Sequence, residues 1–254
     1  MSDFSDSLKG RVAVITGAGQ GIGRHVAHRF AAAGAIPVIA ELNSAKGKAV
    51  AAELGATGAL FVETDAADEA SLAAMAGTTL ARLGRIDVLV NNAGIFSTLE
   101  MRPFWEIPVA EWRRVLDVNT TGPFLATRAV LPAMMKAGWG RIINMSSGAV
   151  TMGRPNYLHY IASKSALIGM TRSMGRELGP HGINVNAVLP GAIFTEIERK
   201  TVTPEQKAAI LAGQSIHTAG RPEDVAGAIL FLASGAADWI TGQCLTADGG
   251  MVYA

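Results

Sequence analysis

Residues 11–23 read RVAVITGAGQGIG, an apolar β-branched run that passes directly into a glycine-rich turn. Residues 22–33 follow with helical spacing. A strand, a glycine turn and a helix in that order form the opening of a dinucleotide-binding unit. Glycines let the backbone turn tightly and approach a pyrophosphate, while the first N–H groups and the dipole of the helix favour its charge. The spacing is Gly17-x-x-x-Gly21-x-Gly23, with Gly19 between, rather than the commoner Gly-x-Gly-x-x-Gly. The loop residues expected to meet the ligand are Gly17, Gln20, Gly21, Ile22 and Gly23.

Outward from this unit the same alternation continues. Residues 36–40 (IPVIA), 59–63 (ALFVE), 88–91, 141–145 (RIINM), 183–189 (INVNAVL) and 244–247 read as further short buried strands. Between them, 45–54, 68–83, 109–136, 159–178 and 222–233 have helical period. Continuous apolar strands joined by helices imply a parallel sheet covered on both faces. Thr203-Pro204-Glu205-Gln206 has the capping-box pattern with proline at the first helical position, so a short helix is expected after it. No Pro/Ser-rich linker or repeat interrupts the chain. The expected architecture is α/β, a single doubly wound Rossmann domain over residues 1–254, with a seven-stranded, mostly parallel sheet.

Composition narrows the function classes. Hydrophobic residues are 49% and charged residues 17% of the 254, which excludes a disordered chain. Lys+Arg at 22 nearly balances Asp+Glu at 21, with no basic run, so neither nucleic acid nor an anionic membrane is an expected partner. Cys244 is the only cysteine, which rules out an intrachain disulfide and a cysteine-based zinc site. His25 and His28 lack further ligands, and no metal is expected. Residues 1–9 are polar, with Asp3 and Asp6, unlike a signal peptide, and no apolar stretch approaches a membrane span. The expected setting is cytoplasmic.

Glu41 ends the second strand about 20 residues beyond the glycine turn, where a carboxylate can accept both ribose hydroxyls and would repel a 2′-phosphate. NAD is the expected cofactor. A solvated Glu41, with Lys46 or Lys48 reaching a phosphate, is the competing possibility. Tyr160 and Lys164 stand at i and i+4 on one helical face. A phenol is a poor base at neutral pH, and a neighbouring ammonium favours its ionised form, which makes proton transfer feasible. Tyr157 has Ile161 at the same spacing and lacks such a partner.

Together these motifs resemble the short-chain dehydrogenase/reductase family over about residues 8–252. The resemblance is carried by TGAGQGIG at 16–23, NNAG at 91–94, Asn119, Ser146-Ser147, Tyr160-x-x-x-Lys164, Pro190-Gly191-x-x-x-Thr195 and Asp248-Gly249-Gly250. It implies that Tyr160 exchanges the substrate hydroxyl proton, with Lys164 tuning it and holding the nicotinamide ribose. It also implies that Ser147, or the adjacent Ser146, bonds the substrate oxygen. Asn119 would bend its helix and hold a water that relays protons towards Lys164. Asp65 and Ala66 match an adenine-contacting pair, although a bulkier aliphatic is more usual at position 66. Asn92, Ala93 and Gly94 would line the adenosine ribose or serve purely as a strand-to-loop turn. Pro190, Gly191, Ile193 and Thr195 resemble the stretch that holds the carboxamide. The implied reaction is hydride transfer between NAD and a secondary alcohol or ketone. A homotetramer is implied as well, and the long helical stretches 109–136 and 159–178 carry more apolar surface than one sheet face needs.

By position the substrate wall draws on Phe96, Leu99, Trp105, Met152, Tyr157, Phe194 and Ile197, which suggests a hydrophobic or aryl small-molecule substrate. Arg102 and Arg154 either bind an acidic or sugar-like group or are simply solvated. His159 either lines the pocket or begins the helix. The alternatives are an NADPH-dependent carbonyl or 3-oxoacyl-thioester reductase, a non-catalytic NAD-binding regulator and a dehalogenase-like lyase. Gln20 and Glu41 oppose the first. Intact Asn119, Ser147, Tyr160 and Lys164 oppose the second, and intact glycines and Lys164 the third.

Overall fold

β1 (Val12–Thr16), β4 (Val88–Asn91), β5 (Gly140–Met145) and β6 (Ile183–Pro190) are buried at every residue, as strands must be when helices cover both faces of a sheet. The computed structural model describes residues 7–197 and 203–253. With β2 (Ile36–Glu41), β3 (Leu60–Glu63) and β7 (Cys244–Ala247) these strands form one seven-stranded sheet in the order β3-β2-β1-β4-β5-β6-β7. Every pairing is parallel. The architecture is therefore the doubly wound one expected, and among the described residues the sheet has no antiparallel member. Pro37 is tolerated inside β2 for a local reason. The Ile36 N–H faces β1, so position 37 faces β3, whose ladder begins only at Val38.

The helices divide between two apolar layers. On one face α1 (Gly21–Ala32) and α9 (Pro222–Ala233) bury Val26, Phe30, Val225 and Ile229 against Ile15, Ile39, Val90 and Ile143. On the other, α3 (Glu69–Leu83) and α5 (Gly122–Ala137) set Leu72, Met75, Val130 and Met134 against Val14, Val38, Leu89 and Ile142. Residues alternate between the layers along each strand, as the pleat requires. α2 (Ser44–Glu53), α4 (Val109–Leu116), α6 (Ala149–Met152), α7 (Leu158–Leu178) and α8 (Pro204–Gly213) complete the set. The capping box at Thr203 and Gln206 opens α8 as its sequence implies.

The helical stretch 109–136 differs from expectation. It divides at a π-helical turn, Asp117–Thr121, between α4 and α5. α5 then starts at Gly122, where a Cβ would overlap the Ala66 carbonyl oxygen. α6 was not anticipated, because four residues are too few to show a period. Among the described residues no helix is long and apolar enough to cross a membrane.

Candidate active site

The strand order reverses between β1 and β4, and a crevice opens there at the carboxyl ends of the strands. It holds a cavity of about 760 Å³, within the range usual for small-molecule sites. The loops after β1 and β4 clasp one another at its floor. Thr16 Oγ1 accepts the N–H groups of Asn92 and Ala93, both at 3.1 Å. The Asn92 side chain donates to the carbonyls of Thr16 and Gly17 at 2.9 and 3.0 Å. Gly17 has φ +66°, and a Cβ there would sit 2.8 Å from Ala93 Cα. Asn92 thus borders the cavity and also fastens the loop.

Gly17, Gln20, Gly21 and Ile22 line the cavity. Gly23 does not, contrary to expectation. It packs under the loop, where a Cβ would overlap the Gly17 carbonyl oxygen, so its role is to let α1 approach the sheet. α1 receives no side-chain cap from its own N-cap residue, Gln20. The Gly21 N–H donates instead to Glu196 Oε1 at 2.8 Å. Partial burial pushes the Glu196 carboxyl up, but the Gly21 amide, its own backbone N–H, and the nearby His25 and Arg24 together hold it below the usual carboxylate range. A phosphate directed to the Gly21 amide would compete with that carboxylate.

Glu41 is pinned where a ribose-binding acid is wanted. Its Oε2 accepts from Gly19 N at 3.0 Å and its Oε1 from Asn43 N at 2.9 Å. Lys46 donates to Gln20 at the rim, so a cation does stand close to this end. Asp65, Ala66, Leu42 and Thr64 form the neighbouring wall, with Asp65 accepting from Ala67 N at 2.8 Å. Ala93, Gly94, Pro190, Gly191, Ile193 and Thr195 continue the lining. A concave, glycine-floored surface with a fixed carboxylate at one end suits a dinucleotide, provided Glu196 yields.

The other half of the cavity carries the reactive set. α7 places Tyr160 and Lys164 one turn apart, with Lys164 Nζ 6.0 Å from the Tyr160 ring centre. Lys164 is buried and donates to the Met145 carbonyl at 2.8 Å, and burial lowers its pKa to about 8. At the end of β5 the two serines diverge. Ser146 spends its hydroxyl on the Lys164 carbonyl at 2.8 Å. Ser147 Oγ accepts from Ala149 N at 3.2 Å and retains its proton for a ligand.

Asn119 lies behind this surface, fully buried in the π turn. Its Oδ1 accepts from Ile95 N at 2.8 Å, and its Nδ2 donates to Ile95 O and Ser163 Oγ, both at 3.1 Å. A Cβ on Gly94 would lie 3.3 Å from Lys164 Nζ and 3.4 Å from Asn119 Oδ1, so both groups border that glycine.

The expected substrate wall needs correction at two places. Phe96, Met152, Tyr157, Phe194 and Ile197 line the cavity. Leu99 is instead in the small core with Val115 and Ala149, and Trp105 is 73% exposed outside the cavity. Arg102 pairs with Glu100 at 2.7 Å and is also absent from the wall, whereas Arg154 lines it. His159 is fully buried with Nε2 3.1 Å from Glu111, so it belongs to the packing of α7. His25 and His28 contact Glu223 and Glu53. Sequence reasoning missed Thr16, Ser163, Glu196, Arg114, Ile210 and Met251. Thr16 and Ser163 lie inside recognised motifs, Glu196 and Met251 directly follow two others, and Arg114 and Ile210 reach the cavity through the tertiary fold.

Three comparisons agree with this geometry. A family model described as enoyl-(acyl carrier protein) reductase matches residues 17–252. The chain is 38% identical to 7alpha-hydroxysteroid dehydrogenase of Escherichia coli strain K12 over 252 residues, covering 98% of this chain and 97% of that one. It is 42% identical to a 3-oxoacyl-[acyl-carrier-protein] reductase of Synechocystis sp. over 252 residues, covering 97% and 98%. It also superposes with a TM-score of 0.92 on 7alpha-hydroxysteroid dehydrogenase complexed with NADH and 7-oxo glycochenodeoxycholic acid, at 37% identity, covering 98% of this chain and 97% of that one.

Proposed function

The chain belongs to the short-chain dehydrogenase/reductase family, and on that premise we propose that it is an NAD-dependent oxidoreductase interconverting a secondary alcohol and its ketone on an apolar carbon frame. The observation that carries the reading is the meeting of Tyr160, Lys164 and Ser147 on one cavity with Glu41 and the glycine turn at its other end. NAD supplies the hydride acceptor, and NADH the donor. The Tyr160 phenol gives its proton to the carbonyl oxygen in reduction and takes it back in oxidation. The Lys164 ammonium favours the phenolate by charge, and the Met145 carbonyl holds it in place. Ser147 positions the substrate oxygen, and Asn119 ties α7 to the loop after β4 through Ile95 and Ser163. Phe96, packed at a tilt with its ring centre 4.5 Å from that of Tyr160, keeps the phenol against an apolar wall.

The NADH-bound relative supports the cofactor assignment. So does Glu41, whose fixed carboxylate would repel a 2′-phosphate. The second reading is an NADPH-dependent 3-oxoacyl-thioester reductase. Lys46 beside Gln20 and the Synechocystis relative favour it. Absorbance of the reduced nicotinamide separates the two, using NADH and NADPH with alicyclic, aryl and 3-oxoacyl-thioester ketones. Turnover of alicyclic or aryl ketones with NADH is the expected result, and NADPH-dependent turnover confined to thioesters would replace the first reading by the second.

This reading also takes residues 1–254 as one catalytic domain, with a small-molecule alcohol or ketone as its substrate. It places the protein in the cytoplasm, where nicotinamide cofactors are abundant. It includes self-association, because α4 and α5 leave Val109, Phe124 and Met135 exposed at 63%, 44% and 40%. A homotetramer is the expected assembly, and a monomer by light scattering at micromolar concentration would remove it.

A further inference from the structure

The substrate half of the cavity is apolar, with Phe96, Met152, Phe194, Ile210 and Met251 among its walls. Arg154, from the turn between α6 and α7, interrupts it, and Arg114 of α4 stands as a second lining cation. Neither makes an ion pair among the described residues. The neighbouring acids are engaged elsewhere, Glu100 with Arg102 and Glu111 with His159. The lining acids do not answer them either. Glu41 and Asp65 belong to the end with the glycine turn, and Asp248 accepts the N–H groups of Gly250, Met251 and Val252. Among the described residues, the positive charge of Arg154 and Arg114 is therefore unmatched.

Arg154 is also held at a set place. Its N–H donates to the Ala149 carbonyl at 3.2 Å, and two left-handed residues, Gly153 at φ +59° and Asn156 at φ +66°, shape its turn. Arg102 N anchors the turn by donating to the Asn156 carbonyl at 3.2 Å. The guanidinium lies 5.2 Å from the Tyr157 ring centre. Tyr157 meets Phe96 at 5.4 Å, and Phe96 meets Tyr160 at 4.5 Å. A continuous row of rings thus leads from an unanswered cation to the phenol that handles the proton. A half-buried guanidinium on an apolar wall is best satisfied by a ligand oxyanion, which its planar fork matches with paired hydrogen bonds.

We infer that the substrate is an anionic amphiphile: an apolar body with the reacting alcohol or ketone at one end and an oxyanion, carboxylate or phosphate, remote from it and received by Arg154. This rests on the redox reading above and adds the substrate class to it. The test compares three matched ketones that end in a carboxylate, a phosphate or a neutral methyl ester, using wild type, Arg154→Met and Arg154→Lys. In wild type one or both oxyanions should exceed the ester in kcat/KM by about ten- to a hundredfold, chiefly through KM; which one leads identifies the anion. In Arg154→Met the ratio of oxyanion to ester should fall to near one, and Arg154→Lys should restore part of it. Equal kcat/KM for all three in wild type, or a preference that survives Arg154→Met, overturns the inference. Should none be turned over while NADH still binds, the redox reading fails instead. Calorimetric binding of the carboxylate, the phosphate and the ester to the NADH-loaded protein then decides the oxyanion site. Preference for an oxyanion, lost in Arg154→Met, supports it, and equal or absent binding overturns it.

Discussion

Exchange of Tyr160 for phenylalanine is expected to lower kcat about a thousandfold, within the range typical for loss of a general acid–base group. The substitution removes one oxygen and leaves the ring that packs on Phe96. The fold and the glycine-floored half of the cavity should survive, so NADH affinity measured by fluorescence titration should stay within about threefold of wild type by the same argument. The split matters as much as the size of the loss. A fall in kcat with binding preserved assigns proton transfer to the phenol. A kcat within tenfold of wild type would falsify that assignment.

The second large effect concerns Lys164 and separates its chemical role from its cost to the fold. Burial holds its folded-state pKa at about 8, below the ordinary lysine value of 10.5. Below about pH 8 the ammonium is charged in both states, and the folded protein bears the whole penalty of burying it. As pH rises from 8 towards 10.5 the unfolded chain binds more protons than the folded one, so stability rises with pH across that window. Lys164→Met removes this dependence. The stability of wild type relative to the variant should therefore increase by about 2 kcal/mol between pH 7 and pH 9.5, taking about 1.4 kcal/mol for each unit of differential ionisation. Paired denaturation at the two pH values checks it, and the constant cost of freeing the Met145 carbonyl cancels in the difference. A gap that stays level with pH would show that Lys164 keeps its charge at no cost. Activity of the variant should be lost at both pH values.

Much of the fold is legible in residues 11–23 and in the strands that repeat their pattern, because a strand covered on both faces must be apolar throughout. The reactive residues are legible for a different reason. Tyr160 and Lys164 lie one helical turn apart, and a spacing of four survives any tertiary arrangement. What periodicity does not reveal is where irregular chain goes. The loop after β4 sends Leu99 into a core and leaves Trp105 in solvent, although both precede α4 and read alike as apolar. The split of 109–136 is hidden too, since a π turn costs one residue of register without changing composition. Arg114 reaches the cavity only through long-range packing, and nothing in the sequence beside Thr195 marks Glu196 as the partner of the Gly21 amide.

With Glu196 on the first amide of α1, a dinucleotide phosphate bound to that amide would exchange with a carboxylate rather than add to a free donor. One anion would replace the other at that amide. The affinity observed is the difference between two pairings with the same amide. Salt weakens both, and much of its influence therefore cancels. Glu196 also shares its segment with Phe194 and Thr195. That single hydrogen bond therefore joins the first turn of α1 to the stretch of chain that walls the substrate half of the cavity.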